Sequence, residues 1–305
     1  MLWMDGIALS YNSGVISAQL RHSRKMLVEG AVFSTEHGES LALIGETGSG
    51  KTMIALSILG LLPRNVRREG GEILLDGAPQ PPEKELRPLL GNQIVYIPQS
   101  GLESLNPART VRKQFRDQFR KLGLPRADWE SRACDRLRLA GLPDPEDVLA
   151  KYPFQLSGGM AQRVTIALAA CASPSLVIAD EPTNGLDEQA RQAFLKLLET
   201  VFPSAGRLII THDISVAALC RRVLVLCAGK PMEQGNADDV LGNPRHPYTR
   251  ALLAALVRNG MAETPVLRSG DAVCPFYRRC PEAAERCRTE LPHRAETGRE
   301  WWCCR

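Results

Sequence analysis

The sequence predicts an α/β fold, and three observations support this prediction. Short apolar segments typical of buried strands alternate with segments of helical periodicity. One of these strands leads directly into the glycine-rich loop Gly45–Thr52, and a helical segment follows it. Polar side chains stand at the carboxyl ends of further apolar strands, which is where open α/β sheets bind their ligands.

The glycine-rich loop fits the pattern G-x-x-x-x-G-K-[ST] at every fixed position. Its members are Gly45, Glu46, Thr47, Gly48, Ser49, Gly50, Lys51 and Thr52. The apolar strand before it and the helix after it favour a phosphate cradle over a chance match. Glycine lacks a Cβ, so the backbone N–H groups can approach phosphate oxygens. Lys51 can reach the β- and γ-phosphates, and the Thr52 hydroxyl can ligate Mg²⁺.

Length and composition are those of an ordinary globular protein. The 305 residues suffice for one large α/β domain with a small appendage, or for two modest domains. The net charge of +4 is a weak basic bias that by itself indicates neither nucleic acid nor membrane. No apolar run reaches the roughly 18 residues of a membrane span, and the N-terminus lacks the features of a signal peptide. We therefore expect a cytosolic location.

The N-terminal segment is predicted to be rich in strands. Residues 6–11 are assigned to a first strand, residues 26–34 to a second, and the polar residues 12–25 to a hairpin tip. The ring of Tyr11 either stacks on adenine or packs in the sheet, and the sequence does not separate these alternatives.

A strand closed by an Asp-Gly turn is predicted at residues 70–77. The basic residues before it, Arg64, Arg67 and Arg68, are assigned to a solvated loop. The proline-rich residues 79–88 are interpreted as a linker.

A buried strand at residues 92–97 leads to Gln99, whose amide would stand at the carboxyl end of that strand. Residues 104–152 then change character. Helical periodicity in 111–122 and 129–142, with prolines between the pieces, predicts a helical insertion.

A serine and two glycines open the next helical run. Ser157, Gly158 and Gly159, followed by Gln162, form a second potential anion site at a helix N-terminus. By physics alone this segment is only a capped helix beside a flexible turn.

Two further apolar strands, residues 176–182 and 207–213, carry functional groups at their ends. Asp180 beside a phosphate cradle is a typical partner for Mg²⁺. Glu181 can orient or deprotonate an attacking water, and His212 can contact the γ-phosphate. A lone Asp-Glu pair is more often a solvated turn, so this interpretation depends on the glycine loop.

Taken in order, these motifs resemble those of the nucleotide-binding subunit of an ABC transporter. The matches are Walker A (residues 45–52), the Q-loop glutamine (Gln99), the signature motif (Ser157, Gly158, Gly159, Gln162), the Walker B aspartate (Asp180), the catalytic glutamate (Glu181), the D-loop aspartate (Asp187) and the switch histidine (His212). Each motif alone has false positives, whereas the ordered set is specific. It covers about residues 1–240. The D-loop departs modestly, because Asn184-Gly185 replaces the usual Ser-Ala pair.

The resemblance implies ATP and Mg²⁺ as ligands. Mg²⁺ would be held through Thr52, Gln99 and Asp180. Glu181 would polarise the attacking water, while His212 and Gln99 would sense the γ-phosphate. ATP would lie between the Walker A loop of one subunit and the signature motif of its partner. The partner would be a second, related ATPase or a second copy of this chain.

Two further stretches resemble the ATPases of dipeptide, oligopeptide and nickel importers. These are residues 243–253, with their His-Pro-Tyr-Thr segment, and Ser104–Pro107, although residues 100–103 depart from the common Asp-Pro-Met-Ser. The resemblance implies an ATPase at the cytoplasmic face of the membrane that powers import of peptides, nickel or metal chelates. Its partners would be two permeases and an extracytoplasmic solute-binding protein, with no nucleic acid.

The predicted architecture is therefore an α/β P-loop ABC ATPase core with three additions: an N-terminal antiparallel β subdomain, a helical signature subdomain and a small cysteine-rich C-terminal extension. Residues 1–255 would form the nucleotide-binding domain, with the helical subdomain at about 104–160 and a closing hairpin at 222–235. Residues 256–305 would form the extension.

Nine cysteines are many for a cytosolic chain. Five crowd the tail: Cys274, Cys280, Cys287, Cys303 and Cys304. The first three with Cys303 give the spacing C-x₅-C-x₆-C-x₁₅-C, with Cys304 as the alternative fourth ligand. Four thiolates can hold a [4Fe–4S] cluster or Zn²⁺. The wide spacing favours iron–sulfur, and the tail resembles an extension that carries such a cluster in some importer ATPases. A tail without cofactor is the third alternative. The four other cysteines are expected to pack as small hydrophobes.

Two other functions agree less well with the sequence than import does. A soluble ABC ATPase acting on nucleic acid or ribosomes usually has two fused cassettes or a long coiled-coil insertion. Here one cassette is present, without sustained heptads between Lys51 and Ser157. A metal-binding regulator with a decayed cassette is disfavoured, because every catalytic position is intact. The sequence does not disclose the transported solute, since specificity lies in the binding protein and permeases.

Overall fold

The computed structural model describes residues 14–22, 25–256 and 264–305. The predicted first strand at 6–11, and with it Tyr11, lies outside these residues. The chain divides into two compact units, the first formed by residues 1–80 with 209–305 and the second by residues 81–208. The boundary predicted at residue 255 stays a prediction.

The strands in the described residues are between two and eleven residues long. They are β1 (Gly14–His22), β2 (Lys25–Thr35), β3 (Ser40–Ile44), β4 (Val66–Gly70), β5 (Leu74–Leu75), β6 (Ala78–Pro79), β7 (Ile94–Ile97), β8 (Leu176–Asp180), β9 (Gly206–Thr211), β10 (Arg222–Cys227), β11 (Lys230–Asn236), β12 (His293–Glu296) and β13 (Arg299–Trp302).

The helices are concentrated in the second unit. They are α1 (Lys51–Ile58), α2 (Glu83–Leu86), α3 (Gly101–Ser104), α4 (Val111–Lys121), α5 (Trp129–Leu139), α6 (Pro145–Ala150), α7 (Gly158–Ala169), α8 (Glu188–Val201), α9 (Ile214–Ala217), α10 (Ala237–Gly242) and α11 (Pro247–Ala254). None of the helices in the described ranges is long and apolar enough to cross a membrane.

An antiparallel sheet in the order β2-β1-β4 opens the first unit. Two predictions were wrong here. Residues 14–22 form a strand instead of a hairpin tip, and Arg67 and Arg68 lie in β4 instead of a loop. The apolar residues Ile16, Ala18 and Leu20 alternate with polar ones, a period-2 pattern that the polar composition of the segment obscured.

A second sheet of the first unit joins β3 to the end of the chain, in the order β12-β13-β11-β10-β3. β10 runs parallel to β3 and antiparallel to β11, so the predicted closing hairpin is confirmed. All five residues of β3 are buried, which explains their apolar sequence. β13 pairs with β11 and β12 pairs with β13, so the last strands extend this sheet. The sequence analysis did not predict either of them.

The second unit combines a parallel strand pair with a helical core. β7 and β8 pair in parallel from Ile94 with Leu176 onward. In α4, Val111, Phe115 and Phe119 are buried on one face, four residues apart. They pack in one apolar cluster with residues from α5, α6 and α7. The helices predicted at 111–122 and 129–142 are confirmed as α4 and α5. The residues assigned to a linker at 79–88 include the short helix α2.

A buried ion pair attaches the end of the chain to β11. Glu233 is fully buried and Arg299 nearly so. Glu233 Oε1 accepts a hydrogen bond from Arg299 Nε at 3.0 Å and one from the Arg245 N–H at 2.8 Å. Glu233 Oε2 accepts a hydrogen bond from the His246 N–H at 3.0 Å. One carboxylate therefore positions both β13 and the chain that enters α11.

Replacement of Glu233 by alanine is expected to lower the free energy of unfolding by about 3–5 kcal/mol, because it leaves the Arg299 guanidinium buried without a counter-charge. Glu296→Ala is the matched control, since it removes an exposed ion pair with Arg245 in the same region and should cost under about 1 kcal/mol. Urea denaturation followed by circular dichroism measures both. Equal losses would show that the buried pair does not anchor the tail.

Candidate functional site

The glycine-rich loop joins the buried β3 to α1 within the first unit, and two of its glycines are required by geometry. Gly45 has φ 154°, and a Cβ at this position would lie 2.1 Å from the carbonyl oxygen of Leu226 in β10. Gly50 has φ 98° and is the N-cap of α1, where a Cβ would lie 2.8 Å from Val28 Cγ2. Larger residues at either position would displace the loop.

The groups around the loop fit a phosphate. The Lys51 side chain is buried, and its Nζ donates hydrogen bonds to the carbonyl oxygens of Gly45 at 2.8 Å and Glu46 at 3.1 Å. The buried Ser49 Oγ has no hydrogen-bond partner in the part of the chain that the structure describes. An ammonium group, an orphaned hydroxyl and a helix N-terminus together form a site for an anion. Thr52 is exposed in the first turn of α1.

A cavity of about 330 Å³ adjoins this loop in the first unit. Gly45, Glu46 and Thr47 line it together with His212, which follows β9. The structure therefore brings the predicted switch histidine and the phosphate loop to one cavity.

Residues from the C-terminal region line the same cavity, and the sequence analysis missed them. The Glu46 N–H donates to Tyr248 Oη at 3.2 Å. The Arg279 Nη1 and Nη2 atoms donate to the two carboxylate oxygens of Glu46 at 2.7 and 2.8 Å. These partners lie 202 and 233 positions from Glu46 along the chain. The His-Pro-Tyr-Thr segment at residues 246–249 includes Tyr248, so the motif that indicates the subfamily also contains one of these contacts.

In the second unit, Asp180 ends β8 with its side chain buried. Tyr96 of β7 donates to Asp180 Oδ2 at 3.2 Å, a contact that the sequence did not reveal. Burial, together with the nearby Asp180 carboxylate, raises the pKa of Tyr96 to about 12, so the phenol remains a donor at neutral pH. Glu181 has φ 48°, a left-handed conformation that is uncommon for a non-glycine residue. Strain of this kind costs on the order of 1–3 kcal/mol and clusters at functional sites.

Three of the predicted motifs border one cavity of about 600 Å³ in the second unit. Gln99 contributes from the Q-loop, Gly158, Gly159 and Gln162 from the signature motif, and residues 184–186 from the D-loop. The Gln162 side-chain amide also donates to the Pro182 carbonyl oxygen, which ties α7 to the segment after β8.

Two of the predicted site residues also cap helices. Ser157 Oγ accepts from the Met160 N–H at 3.2 Å, and Asp187 Oδ1 accepts from the Ala190 N–H at 2.8 Å. Gly185 has φ 77°, a left-handed conformation that glycine adopts without steric cost. These contacts define the geometry of the motifs, and the catalytic and binding roles of the individual residues stay predictions.

The five tail cysteines are buried and line one small pocket. Burial raises the pKa of Cys274 to about 12 and that of Cys304 to about 11, so both thiols are neutral at physiological pH. Within residues 14–22, 25–256 and 264–305, no group of three or more His, Cys, Asp or Glu side chains has the geometry to hold a metal ion. The structure therefore does not support the predicted [4Fe–4S] or zinc site.

A buried strand, a glycine loop with groups that fit an anion and a helix N-terminus define a nucleotide-binding protein of the P-loop class. The family described as "ABC transporter" matches residues 28–184, and the family described as "Oligopeptide/dipeptide transporter, C-terminal region" matches residues 232–287. The chain belongs to the ABC transporter family, as its ATP-binding subunit, an ATPase that powers transport.

Similar proteins extend the match to almost the whole chain. The "Probable peptide ABC transporter ATP-binding protein y4tR" of Sinorhizobium fredii is 39% identical over 280 residues, with 86% of this chain and 84% of the relative covered. The "Dipeptide transport ATP-binding protein DppD" of Escherichia coli is 37% identical over 299 residues, with 93% and 90% covered. DppD of Bacillus subtilis is 36% identical over 281 residues, with 87% and 84% covered.

Solved structures of two related subunits share the fold. An "ATP binding subunit of ABC transporter" superposes with a TM-score of 0.62 at 29% identity, covering 75% of this chain and 91% of that one. The cbiO1 protein of Clostridium perfringens, part of the transporter complex cbiONQ, has a TM-score of 0.64 at 27% identity, with 76% and 92% covered. These structures support the α/β ABC ATPase core, and the support does not extend to a cysteine-rich extension.

Gly45→Ala is expected to abolish ATP binding and to lower the thermal midpoint, because the new Cβ meets the backbone carbonyl of Leu226 and the loop must move. Gly242→Ala is the control, since a Cβ at the end of α10 meets nothing within 4 Å and should leave both properties unchanged. Fluorescence titration with an ATP analogue and thermal unfolding measure the two effects. Wild-type affinity in Gly45→Ala would show that the loop tolerates a side chain there.

Proposed function

We propose that this chain powers the import of peptides. The main support is the similarity to a dipeptide transport ATP-binding protein, which extends over 93% of this chain. Residues 232–287 also match the C-terminal region of oligopeptide and dipeptide transporters. None of the relatives quoted above is named for nickel or metal chelates, which remain the alternative cargoes. The match at residues 232–287 also disfavours a soluble ATPase that acts on nucleic acid or ribosomes.

The ATP site is proposed to be shared between two subunits. Walker A of one subunit would hold the phosphates from one side, and Ser157, Gly158 and Gly159 of its partner would close the other. A Cβ on Gly158 or Gly159 would meet nothing within 4 Å, so this surface is open. The first N–H groups of a helix have no partner within the helix. In α7 the Met160 N–H is capped by Ser157 Oγ, so the N–H groups of Gly158 and Gly159 would be the ones that face an incoming phosphate. The partner is a second, related ATPase or a second copy of this chain.

The roles proposed within that site are those that the resemblance of the motifs to ABC transporter ATPases implies. Thr52, Gln99 and Asp180 would hold Mg²⁺, which supplies charge stabilisation for phosphoryl transfer. Glu181 would polarise the attacking water, and its constrained backbone would fix the direction of the carboxylate. His212 and Gln99 would sense the γ-phosphate. Two permeases and an extracytoplasmic solute-binding protein complete the proposed importer, with this chain peripheral at the cytoplasmic face of the membrane.

In the assembled importer, Glu181→Gln is expected to retain ATP binding, while hydrolysis falls about 100-fold or more, because a general base is lost. Proteoliposomes with the permeases and the solute-binding protein should accumulate a labelled dipeptide when ATP is supplied, and the variant should abolish this uptake. Glu199→Gln, an exposed position on α8, is the control and should retain both activities.

Two outcomes of this experiment would contradict the proposal separately. A wild-type rate of ATP hydrolysis in Glu181→Gln would show that Glu181 does not polarise the attacking water. Accumulation of nickel without accumulation of the dipeptide, in the wild-type importer, would overturn the peptide assignment and leave the ATPase assignment intact.

A [4Fe–4S] cluster in the tail, with zinc as the alternative, is retained as a separate proposal. Its support is that five buried cysteines line one pocket, and that a short tail gains stability from a metal. Against it counts that, among the described residues, no group of three or more His, Cys, Asp or Glu side chains has the geometry to hold a metal ion. Binding would require deprotonation of the buried thiols.

Protein purified without oxygen is expected to contain iron and acid-labile sulfide in equal amounts if the cluster is present. Cys280→Ser should lose both iron and sulfide, whereas Cys171→Ser, in the second unit, should retain them. One equivalent of zinc without iron would show that the tail binds zinc and not a cluster. The absence of both iron and zinc would contradict the proposal.

A further inference from the structure

The C-terminal region contacts the phosphate loop at one residue, Glu46. Arg279 makes a bidentate ion pair with the Glu46 carboxylate, with both N–O distances under 3 Å. Parallel hydrogen bonds of this kind combine charge with a defined orientation. The guanidinium also lies 5.3 Å from the ring centroid of Phe276, which is buried. Arg279 is therefore held in place by its own segment while it reaches the loop.

A second contact from the same region holds the backbone of Glu46. Tyr248, on α11, is buried, and its hydroxyl accepts the Glu46 N–H. The Tyr248 ring meets the Phe276 ring edge-on, with centroids 5.3 Å apart. Tyr248 and Arg279 thus form one packed group that fixes both the main chain and the side chain of Glu46.

The charge of Glu46 makes this contact relevant to nucleotide binding. Glu46 places a carboxylate within the loop that is to hold the negatively charged phosphates of ATP, and like charges repel. The Arg279 guanidinium offsets that charge. The Arg279 side chain is 29% exposed and the Glu46 side chain 47%. The electrostatic effect of both charges on the adjoining cavity therefore acts partly through water and is weakened by salt.

We propose that Arg279 is a positioning residue for ATP binding, which neutralises Glu46 and orients the start of the phosphate loop. This inference rests on the ATP-binding function of the family. It depends neither on the proposed peptide cargo nor on a metal in the cysteine pocket, so those proposals can fail without affecting it.

The test is a titration calorimetry measurement of ATP binding to the full chain, in EDTA to prevent hydrolysis. Arg279→Ala is expected to raise the Kd for ATP about three- to fivefold at low salt, the range of a partly exposed ion pair. The effect should shrink at high salt because charge interactions are screened. The rise in Kd should be smaller for ADP, which carries less charge. Arg279→Lys keeps the charge and loses the bidentate geometry, so its Kd for ATP should lie between those of the wild type and Arg279→Ala.

The decisive arm is the same substitution in a chain without the carboxylate. Arg279→Ala should change the Kd by less than about twofold in a Glu46→Gln background, because no charge remains to be offset. The matched control is Arg278→Ala. The Nε of this adjacent arginine donates to the Arg268 carbonyl oxygen at 3.5 Å, and the substitution should leave the Kd unchanged.

Two results would overturn the proposal. The first is an unchanged Kd in Arg279→Ala. The second is an equal loss of affinity in both backgrounds, which would show that Arg279 acts only through folding of the tail. Circular dichroism of each variant accompanies the titrations, and Arg279→Lys provides the comparison if the alanine variant is poorly folded.

Discussion

The absence of a side chain at Gly45 is the constraint on which the rest of the site depends. The chain leaves the buried strand β3, passes within van der Waals range of the β10 backbone and turns into α1. This close approach is possible only without a Cβ. It allows the loop to fold so that Lys51 reaches the carbonyl oxygens of the loop itself. β10 therefore has two functions, as a neighbour of β3 in the sheet and as one wall of the phosphate loop.

The C-terminal region belongs to the same unit as that loop. Glu233 in β11 binds the N–H groups of Arg245 and His246, which sets the entry into α11. α11 carries Tyr248, and Tyr248 accepts a hydrogen bond from the loop. A continuous series of contacts thus runs from the last strands of the chain to the phosphate site. These C-terminal residues and the phosphate loop belong to one compact unit of the chain.

Local patterns explain what could be predicted. The loop, the buried strands β3 and β8 and the β10–β11 hairpin each have a signal within a few residues, because apolar runs and turn residues act over that distance. β1 was missed because its polar residues mask the alternation, and β4 because it has one apolar side chain, Val66, and no alternation. β13 pairs with β11 and β12 with β13, and such long-range pairing has no local signal. The cysteine spacing indicated a metal site, but spacing does not determine the positions of the sulfur atoms. The side chains in the described tail do not form one.

The sequence by itself determined the chemistry of this protein, because a phosphate loop, a strand-end carboxylate and a capped signature helix each need only neighbouring residues. The tertiary structure alone decided which groups surround them. Tyr96 meets Asp180 across 84 positions, and Arg279 meets Glu46 across 233. Contacts of this length follow from strand order and helix packing, which no short segment specifies. The ATPase motifs are therefore local, whereas the residues that orient them are a property of the fold.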